Sequence, residues 1–273
     1  MKKRILKFLI YVLASGLLLA VYSFVEPYWL DIKKIDIEDK DIPDSFNGKK
    51  IVFVSDIHHG PNFSRERVAG IVRKINDLNP DIILLGGDYV ERGTQYIRPC
   101  FEELKKLNAP LGKYGVMGNH DHWEDEMAVM QSMKDAGISL LDNRAQWIIY
   151  GKGRIKVGGV GDLYTDSQYI GPTINNVKKD DFVILLSHNP DYAERIKNNK
   201  VDIVLSGHTH GGQITLFGRW APYIPSFYGQ KYRTGIVDTA FTKVIISNGV
   251  GSTGIPIRFF ARPQIGVITL RKE

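Results

Sequence analysis

Five short apolar runs, each closing on residues able to bind a metal, constrain this chain more than any other feature. Lys50–Ser55 is a β-branched run that leads into Asp56-Ile57-His58-His59, and Asp81–Leu85 leads into Gly86-Gly87-Asp88. Tyr114–Met117 leads into Gly118-Asn119-His120-Asp121. Phe182–Leu186 leads into Ser187-His188-Asn189, and Val201–Leu205 into Ser206-Gly207-His208-Thr209-His210-Gly211-Gly212. Continuous apolar runs of this length read as strands buried on both faces. Between them, apolar residues at helical spacing predict helices over Arg65–Leu78, Tyr96–Leu107, Glu124–Ala136 and Pro190–Lys197. Pro99 falls in the first turn of the second helix, and Asn108 and Pro110 end it. Gln146–Tyr150 and Arg154–Val160 read as a hairpin turning at Gly151-Lys152-Gly153, and Lys243–Ser247 and Ile265–Leu270 as further strands. Strands alternating with helices early, and strands dominating late, predict a layered α/β domain of two sheets with helices outside.

The carboxyl edge of such sheets is where ligands bind. Carboxylate, imidazole and amide oxygen suit borderline divalent cations such as Mn²⁺, Fe and Zn²⁺. Taken singly, each residue has an ordinary role: Asp56 as a turn residue, Asn119 as a cap, His188 as a core histidine. Their joint occurrence after five successive strands points to a metal site. Asp56 and His58 are spaced i, i+2, as are His208 and His210, a spacing that puts both side chains on one side of a strand. Asp88 is the natural bridge between two cations, with Gly86 and Gly87 leaving them room. Phosphoester hydrolysis is well served by two such ions about 3.5–4 Å apart.

Residues Phe8–Val25 carry no charge, after a start holding Lys2, Lys3, Arg4 and Lys7. As a helix this run spans about 27 Å, close to the hydrocarbon thickness of a bilayer. Tyr22, Tyr28 and Trp29 lie where an interfacial aromatic belt would sit. A cleavable signal peptide, with weak sites at Leu18-Leu19-Ala20 or Val21-Tyr22-Ser23, is the alternative. The length of the apolar run favours an uncleaved anchor. The expected organisation is a membrane segment over 1–25, a charged connector over 26–48 and one domain over 49–273. The basic start places the N-terminus inside and the domain outside the cytoplasm, although Lys33, Lys34 and Lys40 make the bias modest. The single cysteine, Cys100, excludes an intramolecular disulfide and a cysteine metal cage. A net charge of +6 favours anionic partners without choosing among them.

The blocks Asp56-X-His58, Gly87-Asp88, Gly118-Asn119-His120-Asp121, His188 and Gly207-His208-X-His210 resemble the five signature blocks of the calcineurin-like metallophosphoesterase superfamily. The Gly-His-Thr-His-Gly-Gly-Gln run ending at Gln213, behind a membrane segment, resembles its membrane-anchored bacterial branch. That branch is similar to some UDP-2,3-diacylglucosamine hydrolases of lipid A synthesis. The resemblance implies a four-layer α/β/β/α sandwich. It also implies one metal on Asp56, His58 and His210, a second on Asn119, His188 and His208, and Asp88 bridging. His59 stands where the family usually has an apolar residue, and either touches substrate or is packed or solvated at the rim.

A water shared by two cations is acidified toward neutral pH, and the resulting hydroxide attacks phosphorus in line. His120, not needed as a ligand, is placed to protonate the leaving oxygen. Asp121 either orients His120 or caps the next helix. Arg258 reads as a surface arginine, with phosphate contact as the alternative. The expected substrate is a phosphodiester or pyrophosphate, with a lipid or nucleotide-sugar lipid in view because of the anchor. A nuclease is the main rival, but no basic stripe with interleaved aromatics marks a nucleic-acid groove, so no nucleic-acid partner is expected. A non-catalytic binding module is disfavoured because no ligand is missing. The aromatic stretch Trp220, Tyr223, Ile224, Phe227, Tyr228 and Tyr232 reads as core or lid, with acyl-chain or membrane contact as the alternative. The sequence sets no oligomeric state.

Overall fold

A computed structural model describes residues 1–273. It contains helix α1 (Lys2–Val25) and strands β1 (Asp31–Asp39) and β2 (Lys50–Val54), followed by α2 (Arg65–Asp77) and β3 (Ile82–Leu85). Next come α3 (Ile97–Leu104), β4 (Lys113–Gly115), α4 (Asn119–Asp135) and β5 (Ser139–Leu140). The hairpin β6 (Ala145–Tyr150) and β7 (Gly153–Gly159) precedes α5 (Gly171–Ile174), β8 (Val183–Leu186) and β9 (Ile203–Ser206). The chain closes with β10 (Gly235–Asp238), β11 (Lys243–Ile246) and β12 (Gln264–Lys272).

Two six-stranded sheets result, ordered β1-β12-β2-β3-β4-β5 and β10-β11-β9-β8-β7-β6. In the first, β2, β3, β4 and β5 run parallel, and in the second β7, β8, β9 and β11 do. All the expected motif-bearing strands therefore end on the same edge. Alternation along each strand divides its apolar residues between two cores. From β2, Ile51 and Phe53 face the other sheet, where Ile184, Leu186, Ile203 and Leu205 meet them. Val52 and Val54 face outward onto α2, α3 and α4, packing with Val68, Ile71, Val72, Ile75, Phe101 and Met133. The Ser64 hydroxyl caps α2 by accepting from the Arg67 amide.

Three expectations change. The 26–48 segment is not only a connector: Asp31–Asp39 pairs in parallel with β12 as an edge strand. Its charged residues hid it, because an edge strand exposes much of its surface and lacks a continuous apolar run. The helix expected at Pro190–Lys197 is a 3₁₀ turn over Pro190–Arg195, so the outer layer on the second sheet is thin. Tyr192, Ala193 and Ile196 still cover that sheet, packing against Val183, Leu185 and Val204. Finally, α4 begins at Asn119 rather than Glu124, with a break at Asp125. Its first turn shows no apolar periodicity because Asn119, His120 and Asp121 are directed at the site.

Candidate metal centre

The seven ligands expected from sequence converge at the carboxyl ends of β2, β3, β4, β8 and β9. Two groups of side chains have all their ligand atoms within 4.8 Å of one another: Asp56 with His58 and His210, and Asp88 with His188 and His208. A third such group joins His58, Asp88 and His120. Asp88 Oδ2 lies 3.5 Å from His58 Nε2 and 3.2 Å from His188 Nε2, touching both groups with one oxygen. Within the first group, His58 Nε2 and His210 Nε2 approach to 3.1 Å. Within the second, His208 Nδ1 lies 3.2 Å from His188 Nε2.

The i, i+2 spacing works here for a reason other than strand pleating. Asp56, His58, Asp88, His208 and His210 all lie beyond the ends of their strands and have positive φ, between 48° and 67°. Such backbone is uncommon for residues with a Cβ and gathers at functional sites. Neighbouring loops hold it in place. The Asp56 amide donates to Gly87 O at 2.9 Å and the His58 amide to Asp88 O at 3.0 Å. The His208 amide donates to Asp56 Oδ1 at 2.9 Å. The glycines serve this loop packing rather than making room for an ion. A Cβ on Gly87 would come within 2.5 Å of the Gly118 amide nitrogen, and one on Gly207 would collide with Ser55 and Asp56.

Burial determines the charge states. It lowers His58 and His208 to about 3 and His210 well below its usual value, so these imidazoles are neutral, the form that binds metals. Burial also raises Asp56 to about 6. For Asp88 and His188 burial opposes charge on both, yet their mutual attraction outweighs it: Asp88 is held well below the carboxylate range and His188 well above the imidazole range. A positive charge beside Asp88 is thus what this corner accommodates. His188 Nδ1 lies 2.8 Å from Gly86 O, and donating there leaves Nε2 facing Asp88. The donor set fits a pair of divalent cations on a further count: Asp56 Oδ2 and Asn119 Oδ1 are buried and have no hydrogen-bond partner.

Three residues around the site have roles that differ from, or settle, the expectations. Asp121 does not orient His120. Its carboxylate accepts from the amides of Asp88 (2.8 Å), Tyr89 (2.8 Å) and Gly118 (2.9 Å), clasping two ligand loops together and capping α4. Asp121→Ala leaves three buried N–H groups unpaired, at about 1–3 kcal/mol each. The expected outcome is a lower unfolding midpoint and metal affinity weakened by about 10–100-fold, as for other supporting groups; calorimetry and metal titration check both. His59 is packed rather than solvated: it is buried, with Nδ1 2.7 Å from Phe63 O and its ring edge-on to Tyr96. Arg258 is not on the surface but fully buried. Its guanidinium donates to Ala261 O (2.6 Å), Asn248 O (2.7 Å), Gly251 O (3.1 Å) and His210 O (3.4 Å), so it braces the loops behind His210 and does not meet phosphate. Arg258→Met should lower unfolding free energy by about 3 kcal/mol or more, since several buried carbonyls lose their donor together; denaturant titration measures this.

A cleft of about 530 Å³ opens over Asp88, Asn119, His120, His208 and His210. Trp123, Tyr164, Tyr223, Pro225 and Phe227 line it, with Tyr164 edge-on to Phe227 at 6.2 Å. His120 is half-buried, edge-on to His58 at 4.7 Å and to Trp123 at 4.8 Å, so it faces the cleft. Tyr164, edge-on to His208 at 5.3 Å, escaped sequence reading because it lies in an irregular loop after β7 with no motif around it. Asp191 was missed because it falls inside the stretch expected as a helix, Pro190–Lys197, where an acidic residue in the first turn is ordinary. It anchors the Phe227 segment of the cleft lining by accepting from Ser226 Oγ (2.5 Å) and the Phe227 amide (2.7 Å).

Sandwiched sheets bearing a double Asp/His cluster on one edge define a metal-dependent hydrolase. A sequence profile described as calcineurin-like phosphoesterase matches residues 49–212, and the chain belongs to that family as a metal-dependent phosphoesterase. An uncharacterized metallophosphoesterase of Bacillus subtilis, YkuE, is 34% identical, the alignment covering 99% of this chain and 97% of that one. A zebrafish protein named as a transmembrane protein with a metallophosphoesterase domain is 31% identical, over 93% of this chain and 60% of its own length. Among solved structures, the NAD nucleotidase of Haemophilus influenzae matches 74% of this chain and 45% of its own, with a TM-score of 0.50 at 15% identity, a likeness of fold alone.

Proposed function

We propose that this chain is a binuclear-metal phosphodiesterase or pyrophosphatase acting at a membrane on a lipid-linked substrate. Asp56, His58 and His210 would hold one divalent cation (Mn²⁺, Fe or Zn²⁺), and Asn119, His188 and His208 a second, with Asp88 between them. The observation that carries this reading is the single oxygen of Asp88, within 3.5 Å of nitrogens from both groups. Bound cations supply Lewis-acid charge and an acidified water for in-line attack at phosphorus. Asp88 fixes the spacing of the two groups, while its Oδ1 accepts from the His120 amide at 2.9 Å. That bond holds His120 over the cleft, where its imidazole donates a proton to the leaving oxygen.

The lipid reading rests on α1, which is long and apolar enough to cross a membrane, and on the aromatic walls of the cleft. Tyr22 and Ser23 pack into the domain, which favours an anchor retained in the mature protein over cleavage at that point. The basic residues before α1 favour an N-terminus inside and a domain outside the cytoplasm. A nucleotide-sugar lipid such as UDP-2,3-diacylglucosamine joins a pyrophosphate to acyl chains and suits both features. The test is Mn²⁺-loaded full-length protein in mixed micelles, given that lipid, a glycerophospholipid and single-stranded DNA in parallel. Faster turnover of a lipid substrate is expected. Preferential cutting of DNA would replace this reading with the nuclease one.

A further inference from the structure

We propose that the loop Ile214–Trp220, together with Ile255 and Phe260, seats in the interfacial layer of the bilayer that α1 crosses, so that the cleft opens at the membrane surface. The proposal rests on reading α1 as a membrane span; it does not depend on the identity of the substrate.

The length of α1 carries the first step. Lys7 is the last charged residue before the apolar run, and Tyr22 lies fifteen residues on, about 22 Å along a helix. The hydrocarbon layer is about 30 Å thick, so seating the span draws Tyr22 to the hydrocarbon boundary or within it. Whatever packs on Tyr22 is then held at that boundary.

The second step is what packs there. The Tyr22 ring meets Phe259 at 5.7 Å and Phe260 at 5.4 Å, and Phe260 meets Phe217 at 5.5 Å. The Arg258 amide donates to Ser23 O at 2.9 Å. The buried Glu26 carboxylate accepts from the amides of Phe260 (2.6 Å) and Ala261 (2.7 Å). The helix therefore enters the domain through fixed contacts rather than a free tether, and Arg258 joins its last turn to the loops behind His210.

The third step is the surface left around this junction. Leu216, Phe217, Trp220 and Ile255 are each more than half exposed, and Ile214 is 41% exposed. They belong to one surface: Ile214 bridges to Phe259, Leu216 to Trp220, and the Gln213 side chain donates to Thr253 O and Ile255 O. A contiguous apolar patch of this kind marks an interaction site. Tryptophan beside a membrane helix suits the headgroup level, and phenylalanine and leucine suit the apolar face of a segment lying in the interface. The patch is continuous with α1 itself, which makes the bilayer its occupant. The same loop runs on to Tyr223 and Phe227 at the cleft, so a phosphate carried on a lipid reaches the site without leaving the membrane surface.

The test uses full-length protein in vesicles of phosphatidylcholine and phosphatidylglycerol. Cys100 is fully buried, which leaves engineered cysteines as the labelling sites. Leu216→Cys and Ile255→Cys each receive an environment-sensitive fluorophore. Ile149→Cys, exposed on the β6–β7 hairpin at the opposite end of the sheets, is the control. Labels at 216 and 255 should be quenched by lipids spin-labelled near the headgroup, and should be severalfold less accessible to iodide than the label at 149. Iodide access equal to that at 149 would overturn the proposal. So would protection from iodide without quenching by spin-labelled lipid, since that assigns the patch to a protein partner. Turnover of a soluble aryl phosphodiester by the same labelled proteins keeps the two readings apart: activity with an aqueous label refutes the docking alone.

Discussion

Asp88→Ala should reduce hydrolysis of a soluble aryl phosphodiester to background while leaving the fold intact. The expected loss exceeds the roughly 100-fold typical of groups that only support a metal site. Three structural facts set this expectation. Asp88 Oδ2 touches nitrogens of both ligand groups, its Oδ1 holds the His120 amide, and its backbone is secured independently through the Asp121 carboxylate. Truncation thus removes the oxygen shared by both groups without freeing the loop. It also removes the attraction that outweighs the burial of Asp88 and His188, so the metal-free variant should lose some thermal stability, a small change beside its loss of activity. Circular dichroism and steady-state turnover on the same preparation measure both. Full turnover would reject Asp88 as a bridge.

His120→Ala should have a different signature. His120 is the one histidine of the cluster that is not fully enclosed, and it lies within 4.8 Å of His58 and Asp88 at the floor of the cleft. Loss of a positioned proton donor lowers rate by about 10²–10⁴-fold. Bound metal should stay near the unaltered level because all seven proposed ligands remain. A substrate with an activated leaving group, such as p-nitrophenolate, needs less protonation and should show the smaller end of that range. Metal analysis beside a leaving-group series checks the assignment. Loss of metal together with activity would make His120 a ligand.

The strands of the site were legible because both faces of each are buried, giving unbroken apolar runs such as Ile82–Leu85. Their polar endings were legible for the opposite reason: Asp88 or His188 after a buried strand has no routine use in a core. The backbone of the site was not legible. Nothing in Asp56-Ile57-His58 reveals left-handed φ at both ends, which depends on hydrogen bonds from loops far away in sequence. Arg258 was misread because a lone arginine gives no sign that several carbonyls will converge on it. The sequence left His59 open between packing, solvation and substrate contact for a similar reason, its partners Phe63 and Tyr96 being fixed only by tertiary packing. The strand at Asp31–Asp39 escaped because its place at the sheet edge lets it carry charges that mimic a linker.

Metal content against turnover tests the central claim most directly. The purified full-length chain, reconstituted with Mn²⁺ and freed of excess by gel filtration, should retain two ions per chain and hydrolyse an aryl phosphodiester. A chelator should remove metal and turnover together, and Mn²⁺ should restore both. Undiminished turnover by protein stripped of metal would contradict the account.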